Sequence, residues 1–235
     1  MRSSRAGGNG EPPVSLATDA VRTMFDRIAP VYDVMNRVMT AGLDVRWRRL
    51  AAEAAVRKGD RVLDAACGTG DLAIADLKAG AAQVTGLDFS EAMLARARRK
   101  APLEWVQGDL LALPFADATF DAATVGFGVR NVDDLELSLR ELRRVLRPGG
   151  RLAILEITQP RGLLRPFFRL WFDRVVPLLG KALPGGAAYT YLPASVKRFP
   201  DADSLLQLLR ASGFGDVRYR LLAGSIVALH TGAAQ

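Results

Sequence analysis

Residues 61–70, RVLDAACGTG, run an apolar segment straight into a glycine-rich turn, and that junction restricts the fold more than any other stretch. A strand ending at closely spaced glycines lets backbone approach a ligand at the carboxyl end of a parallel sheet, where side chains would obstruct it. The surrounding pattern agrees. Strand candidates at Arg61–Ala66, Gln83–Asp88, Glu104–Gln107, Phe120–Val125 and Leu152–Ile157 alternate with helical stretches at Asp71–Lys78, Ser90–Lys100 and Asp134–Leu146. Such alternation predicts an α/β fold, with helices on both faces of a mostly parallel sheet. Two closing strands, near Val217–Leu222 and Ser225–Leu229, meet at Ala223-Gly224 as a hairpin. They raise the expected sheet to seven strands, one of them antiparallel near the C-terminus.

A chain of 235 residues suits one well-cored domain, expected over 14–235. Within it, 14–57 is a helical cap interrupted at Pro30 and closed at Gly42, 59–158 is the ligand-binding core, and 160–200 is an apolar and basic insertion. A helix over Asp201–Ser212 follows. Residues 1–13, MRSSRAGGNGEPP, lack the apolar centre of a signal peptide and read as a disordered lead-in. One cysteine, Cys67, excludes an intramolecular disulfide, and one histidine, His230, leaves little for a zinc site or a Ser-His-Asp triad, so no metal is expected. No apolar run reaches the roughly 18 residues that cross a bilayer. The expectation is a cytoplasmic protein that meets the inner face of a membrane only peripherally. The net charge of +7 suits an anionic membrane surface or another acidic partner. Its arginines are scattered over helix faces with no nucleic-acid motif among them, so nucleic acid is not expected. A homodimer is compatible with the composition.

Gly68-Thr69-Gly70 followed by Ala73 also satisfies a dinucleotide-binding fingerprint, so the glycines alone do not choose the ligand. Three carboxylates favour S-adenosylmethionine. Asp64 lies in the strand before the loop, suited to a cationic ligand end. Asp88 ends the second strand, eighteen residues after Gly70, placed to accept from both ribose hydroxyls. Gly108-Asp109 follows the third strand and suits the adenine amino group. A pyrophosphate at the next helix N-terminus would be repelled by Asp71. Each residue also has a plainer role open to it: Gly70 as a helix start, Asp88 as a helix cap, Asp109 as a turn cap.

Several segments then resemble one family, the ubiquinone/menaquinone biosynthesis C-methyltransferases, which are class I S-adenosylmethionine-dependent enzymes. They are Tyr32-Asp33-Val34-Met35-Asn36 with Gly42 and Arg46-Trp47, VLDAACGTGDLA, Phe127-Gly128-Val129-Arg130-Asn131-Val132, RPGGRLAILEITQP, YTYLPASVKRFPDADSL and VALHTG. The likeness spans about Phe25 to Gly232 and implies the Rossmann-like methyltransferase sheet. It carries cofactor contacts to Thr69, Asp88, Gly108 and Asp109, beside Asp64, Gly68 and Gly70 in the loop. Gly126 belongs to the same set, although the family often has serine there. Asp44 replaces a histidine usual in the first signature, and Thr40 a serine.

The implied reaction is methylation of a ring carbon of a polyprenyl quinol, demethylmenaquinol to menaquinol. The alternatives are a polyprenyl methoxybenzoquinol or another small acceptor. Arg130 remains protonated at working pH and suits orienting a water or stabilising a phenolate, with Asn131 and Tyr32 as supporting catalytic contacts; a loop salt bridge is the plain alternative for Arg130. Asp33 and Asp44 are further candidate proton acceptors. The prenyl tail needs an apolar groove, for which the N-terminal helices and Phe167–Leu179 are expected walls. Arg161, Arg165, Arg169, Arg174 and Lys181 suit an anionic membrane around it. A binding module without turnover and a nicotinamide dehydrogenase are the competing classes; Asp71 and the late hairpin count against the second.

Overall fold

The computed structural model describes residues 16–159, 174 and 186–235. The lead-in over 1–13 and most of the Phe167–Leu179 stretch lie outside the described residues, as do Arg161, Arg165, Arg169 and Lys181; Arg174 is exposed. The chain opens with three helices, α1 (Leu16–Ile28), α2 (Tyr32–Met39) and α3 (Leu43–Ala55). Gly42, at φ +77°, makes the left-handed joint between the last two. Then come β1 (Arg61–Ala65), α4 (Asp71–Lys78), β2 (Gln83–Asp88), α5 (Glu91–Lys100), β3 (Glu104–Gln107) and β4 (Phe120–Gly126). A 3-10 turn at Val129–Asn131, α6 (Leu135–Val145), β5 (Leu146–Ile157), α7 (Gly186–Arg198), α8 (Ala202–Ala211), β6 (Phe214–Leu222) and β7 (Val227–Ala234) complete it.

The seven strands lie in the order β3-β2-β1-β4-β5-β7-β6. β1 through β5 pair in parallel, whereas β7 runs antiparallel to both β5 and β6. This is the expected sheet with one antiparallel strand. Its central strands are covered on both faces, and alternate residues feed two cores. Leu63, Ala65 and Ala123 pack with Leu139 and Leu142 of α6 and Leu205 and Leu209 of α8. Val62 and Ala122 pack on the other side with Trp47, Ala51 and Ala55 of α3 and Leu72 and Ala73 of α4.

Boundaries differ from expectation where turn-forming residues sit inside a strand. β5 begins at Leu146, six residues before the expected Leu152. Pro148 has no N–H to give the ladder, so pairing jumps from Phe120–Leu146 to Ala122–Arg151 and the intervening residues bulge, with Gly149 at φ +75°. β7 runs to Ala234 rather than stopping at Leu229, because β5 and β6 supply partners on both sides. A 3-10 turn over Ala223–Ser225 makes the hairpin joint.

Candidate functional site

β2 and β3 lie to one side of β1, and β4 and β5 to the other, so the sheet's order reverses between β1 and β4. Outside the carboxyl ends at that switch point a crevice is expected. A cleft of about 920 Å³, counted out to its open mouth, lies there. Its floor is the loop after β1. The Cys67 N–H donates to the Leu87 carbonyl at 2.9 Å, and the Gly68 N–H donates to Asp88 Oδ2 at 2.7 Å. The second Asp88 oxygen accepts from the Ser90 N–H at 2.9 Å. Ser90, not Asp88, caps α5, its hydroxyl accepting from Met93 N. Asp88 therefore braces the loop while facing the cleft with its remaining lone pairs. Burial pushes its carboxyl up to about 6, the two amides opposing the shift.

Two non-glycine residues at the strand ends, Ala66 at φ +54° and Phe127 at φ +61°, hold left-handed backbone and both line the cleft. Strain of this kind collects where a ligand is gripped. Gly68 also lines it, with the Tyr32 ring opposite. Gly70 does not; it sits at φ +83° where a Cβ would come within 2.5 Å of Trp105 Cη2, so its role is the close packing of loop against β3 and α5. Gly108 and Asp109 wall the far end, the Asp109 carboxylate accepting from Leu111 N at 2.9 Å. At Gly126, a Cβ would sit 3.0 Å from Leu72 Cδ2, so the Leu72 methyl fills the space a serine would need.

Asp64 is fully buried at the cleft wall, and neither of its oxygens is in hydrogen-bond geometry with a protein group. Burial, with Asp76 next, pushes its carboxyl well up, the nearby Ala73 amide opposing only in part. An orphaned acid at the wall fits the cationic end of S-adenosylmethionine, and Asp88 and Asp109 bring two further carboxylates to the same cleft.

The N-terminal helices close the mouth and are pinned to the loop by charge. Asp33 on α2 accepts from the Thr69 hydroxyl at 2.5 Å and pairs with Lys100 at 2.7 Å. Lys100 also pairs with Asp71 at 2.7 Å and donates to Thr69 at 2.9 Å. On α1, Asp26 accepts from the Ser90 hydroxyl at 2.5 Å. Asp71 is further approached by Arg37 at 3.4 Å and Arg48 at 3.8 Å. Its charge is thus largely compensated, and it would repel a pyrophosphate less than the sequence implies. Asp44 is buried and ion-paired with Arg37 and Arg48. Burial alone would raise its carboxyl, but the two guanidiniums outweigh that and hold it low. It is placed as an anchor of α2 on α3, with no opening to the cleft.

Of the three residues singled out for catalysis, Tyr32 and Asn131 line the cleft and Arg130 does not. Arg130 pairs with the buried Glu156 at 2.6 Å and donates to the Phe127 carbonyl at 2.6 Å, the salt bridge that was its plain alternative. It borders instead a second, open cavity of about 1380 Å³, again counted out to its mouth, between α1, the 3-10 turn and the end of α7. Asn131, Val132 and Asp133 border both cavities. Asn131 donates to Phe127 O at 3.3 Å, which leaves its buried Oδ1 without a partner. Glu156, Lys100 and Asp76 escaped the sequence reading. The signal for Glu156 is a lone charge inside the apolar run LAILEI, and for Asp76 a carboxylate on the buried stripe of α4.

The sequence pattern of the ubiE/COQ5 methyltransferase family matches residues 14–234. The demethylmenaquinone methyltransferase of Thermus thermophilus is 47% identical over 218 residues, covering 89% of this chain and 99% of its own. That of Deinococcus radiodurans is 48% identical over 234 residues, covering 94% and 96%. Among solved structures, the [4+2]-cyclase SpnF superposes with a TM-score of 0.70 at 21% identity, covering 94% of this chain and 97% of its own. A cyclase on the same scaffold shows that the fold alone does not name a reaction. The sequence likeness does: with a glycine loop, an orphaned acid and Asp88 at the switch point, and a family pattern matched along nearly its whole length, the chain belongs to the ubiE/COQ5 methyltransferase family.

Proposed function

We propose that this enzyme methylates a ring carbon of demethylmenaquinol, giving menaquinol, with S-adenosylmethionine as methyl donor. The names of the relatives at 47% and 48% identity support the naphthoquinol acceptor. The observation that carries the site is the second cavity, which shares Asn131–Asp133 with the cofactor cleft, so an acceptor there would present its ring where the two meet.

When bound, S-adenosylmethionine supplies a methyl group already activated on a sulfonium, so the protein's task is positioning and exclusion of water. Asp88 holds the ribose, Asp109 the adenine end, and Asp64 the cationic amino group. Asn131 Oδ1, buried and unpartnered, accepts from a quinol hydroxyl and turns the ring. Arg130, fixed by Glu156, sets the shape of the turn that carries Asn131 and places positive charge beside the second cavity, which favours phenolate character. Tyr32 closes the mouth over Gly68.

The tail of such a substrate lies in lipid, and no helix among the described residues is long and apolar enough to cross a membrane. Val34, Val38, Leu43 and Val45 stand exposed on α2 and α3, beside exposed Arg46 and Arg49. Such a face suits peripheral contact with an anionic surface. The test of the whole reading is transfer of labelled methyl to reduced demethylmenaquinone and, separately, to a polyprenyl methoxybenzoquinol. Product from the first at much the higher rate is expected. Product only from the second moves the enzyme to benzoquinols, and none from either, with cofactor bound, removes the quinol acceptor.

A further inference from the structure

α4 turns Leu72, Ala73 and Asp76 toward the sheet as its buried face, so an acid occupies a position where helical patterning calls for an apolar residue. Asp76 Oδ2 accepts from the Thr124 hydroxyl at 2.6 Å, and its Oδ1 is buried without a partner. Thr124 is in turn the register partner of Asp64 across the β1–β4 pair. Side chains directly opposite on neighbouring strands share one face of the sheet. Asp64, Thr124 and Asp76 therefore form one dry polar layer between α4 and the sheet, each with none of its surface exposed.

Two carboxylates in such a layer cannot both carry charge. The Thr124 hydroxyl donates to Asp76, whose other oxygen lacks a partner, as do both oxygens of Asp64, and a buried unpaired anion is costly. The other charged or titratable groups facing Asp64 are Arg48 from α3, Asp88 from β2 and the buried thiol of Cys67. Arg48 is already committed to Asp44. Burial pushes Asp76 up to about 8, and burial with the Asp76 charge drives Asp64 well up in the same direction. Such a pair titrates as a unit.

We propose that Asp76 is a positioning residue for the cofactor: it keeps its own proton and turns it to Asp64 as a hydrogen bond when Asp64 ionises on the arrival of a cationic amino group from the cleft. The inference rests on the reading of the cleft as an S-adenosylmethionine site. On binding, the O–H bond of Asp64 breaks and its proton leaves to solvent. The ligand's ammonium matches the charge left behind, and Asp76 remains a neutral acid throughout. Cofactor capture is thereby linked to release of one proton at the amino end, separate from the titration of Asp88 near the ribose.

The test is calorimetric titration of the wild-type protein with S-adenosylhomocysteine, which carries the ammonium, and with 5′-methylthioadenosine, which carries the same nucleoside without it. Both are run across neutral pH in buffers of different ionisation enthalpy. S-adenosylhomocysteine should release close to one proton and gain up to about tenfold in affinity per pH unit. 5′-Methylthioadenosine should release one proton fewer, keeping only the part that Asp88 gives both ligands. Titration of Asp88 affects both ligands alike and cancels in the comparison. Asp76→Asn retains a neutral donor for Asp64 and an acceptor for Thr124, and should bind S-adenosylhomocysteine with the wild-type pH slope. Asp76→Leu should lose affinity for S-adenosylhomocysteine, on the order of tenfold for one lost charge-assisted hydrogen bond, and none for 5′-methylthioadenosine. Equal slopes for the two ligands in the wild type, or a slope lost in Asp76→Asn, would overturn the inference alone. Failure of both ligands to bind at any pH would overturn the cofactor reading and the inference with it.

Discussion

Asp88 carries two duties with one carboxylate, bracing the Gly68 and Ser90 amides and, in the proposed complex, accepting from the ribose. Asp88→Ala should lower S-adenosylmethionine affinity by on the order of a hundredfold, since it removes the ribose acceptor and strands two buried amides. Calorimetry reads this directly, and a loss under about threefold would take the ribose away from Asp88. The acid accepts well only when ionised, and its carboxyl is pushed up to about 6. Affinity should therefore hold above that pH and decline as pH falls through it. Arg130 calls for a different experiment, because Arg130→Ala leaves Glu156 buried and unpaired, at a cost of about 3 kcal/mol or more. The single variant should retain cofactor binding, turn over slowly and melt early, whereas Arg130→Ala with Glu156→Ala should recover much of the melting temperature. Turnover that recovers along with stability would reduce Arg130 to a structural role. The acids at strand ends were readable in the sequence, since strand and loop spacing fixes where they emerge. Glu156 and Asp76 were not, because their partners, Arg130 and Thr124, lie 26 and 48 positions away and no periodicity links them.

Among elements, the joint between the β1 loop and α4 is the most tightly determined. Gly70→Ala meets two separate penalties, a side chain at φ +83° and a collision with Trp105. Together they should destabilise the protein by about 3 kcal/mol. Adding Trp105→Phe, which shortens the ring that collides, should return the packing part and leave the backbone part. Chemical denaturation of the two variants separates them, and equal stability would show that Trp105 yields freely. The helical breaks at Pro30 and Gly42 were legible, because proline and glycine act locally, and the helices do break there. The start of β5 was not. Pro148-Gly149-Gly150 signals a turn, and only pairing of Leu146 with Phe120 on β4 keeps that stretch in the sheet. The end of β7, Thr231-Gly232-Ala233-Ala234, has weak strand propensity and is extended because β5 and β6 hold it from both sides. The charged pins of α1 and α2 were equally invisible, since Asp33 with Thr69 and Asp26 with Ser90 join segments far apart in the chain.

For the molecule as a whole, the cleft lies against β1, β2 and β4 and under α1 and α2, so a ligand there contacts both the sheet and its cap. S-adenosylmethionine at a hundredfold its dissociation constant should add about 2.7 kcal/mol of stability. For a chain of this size that is a rise in melting temperature of roughly 5–10 °C. A thermal scan with and without cofactor checks it, and an unchanged midpoint at saturation would mean that the ligand binds the unfolded chain equally well. The position of β7 has a consequence for how the molecule is made. It is threaded between two strands that precede it in the chain, β5 and β6. A nascent polypeptide emerging amino end first has already delivered β1 to β4, the half that frames the cleft, while β5 and β6 still present unpaired edges toward an unfilled slot. Open edges of that kind recruit other strands. The interval between synthesis of β6 and arrival of β7 is therefore when this chain most needs protection from its neighbours on the ribosome.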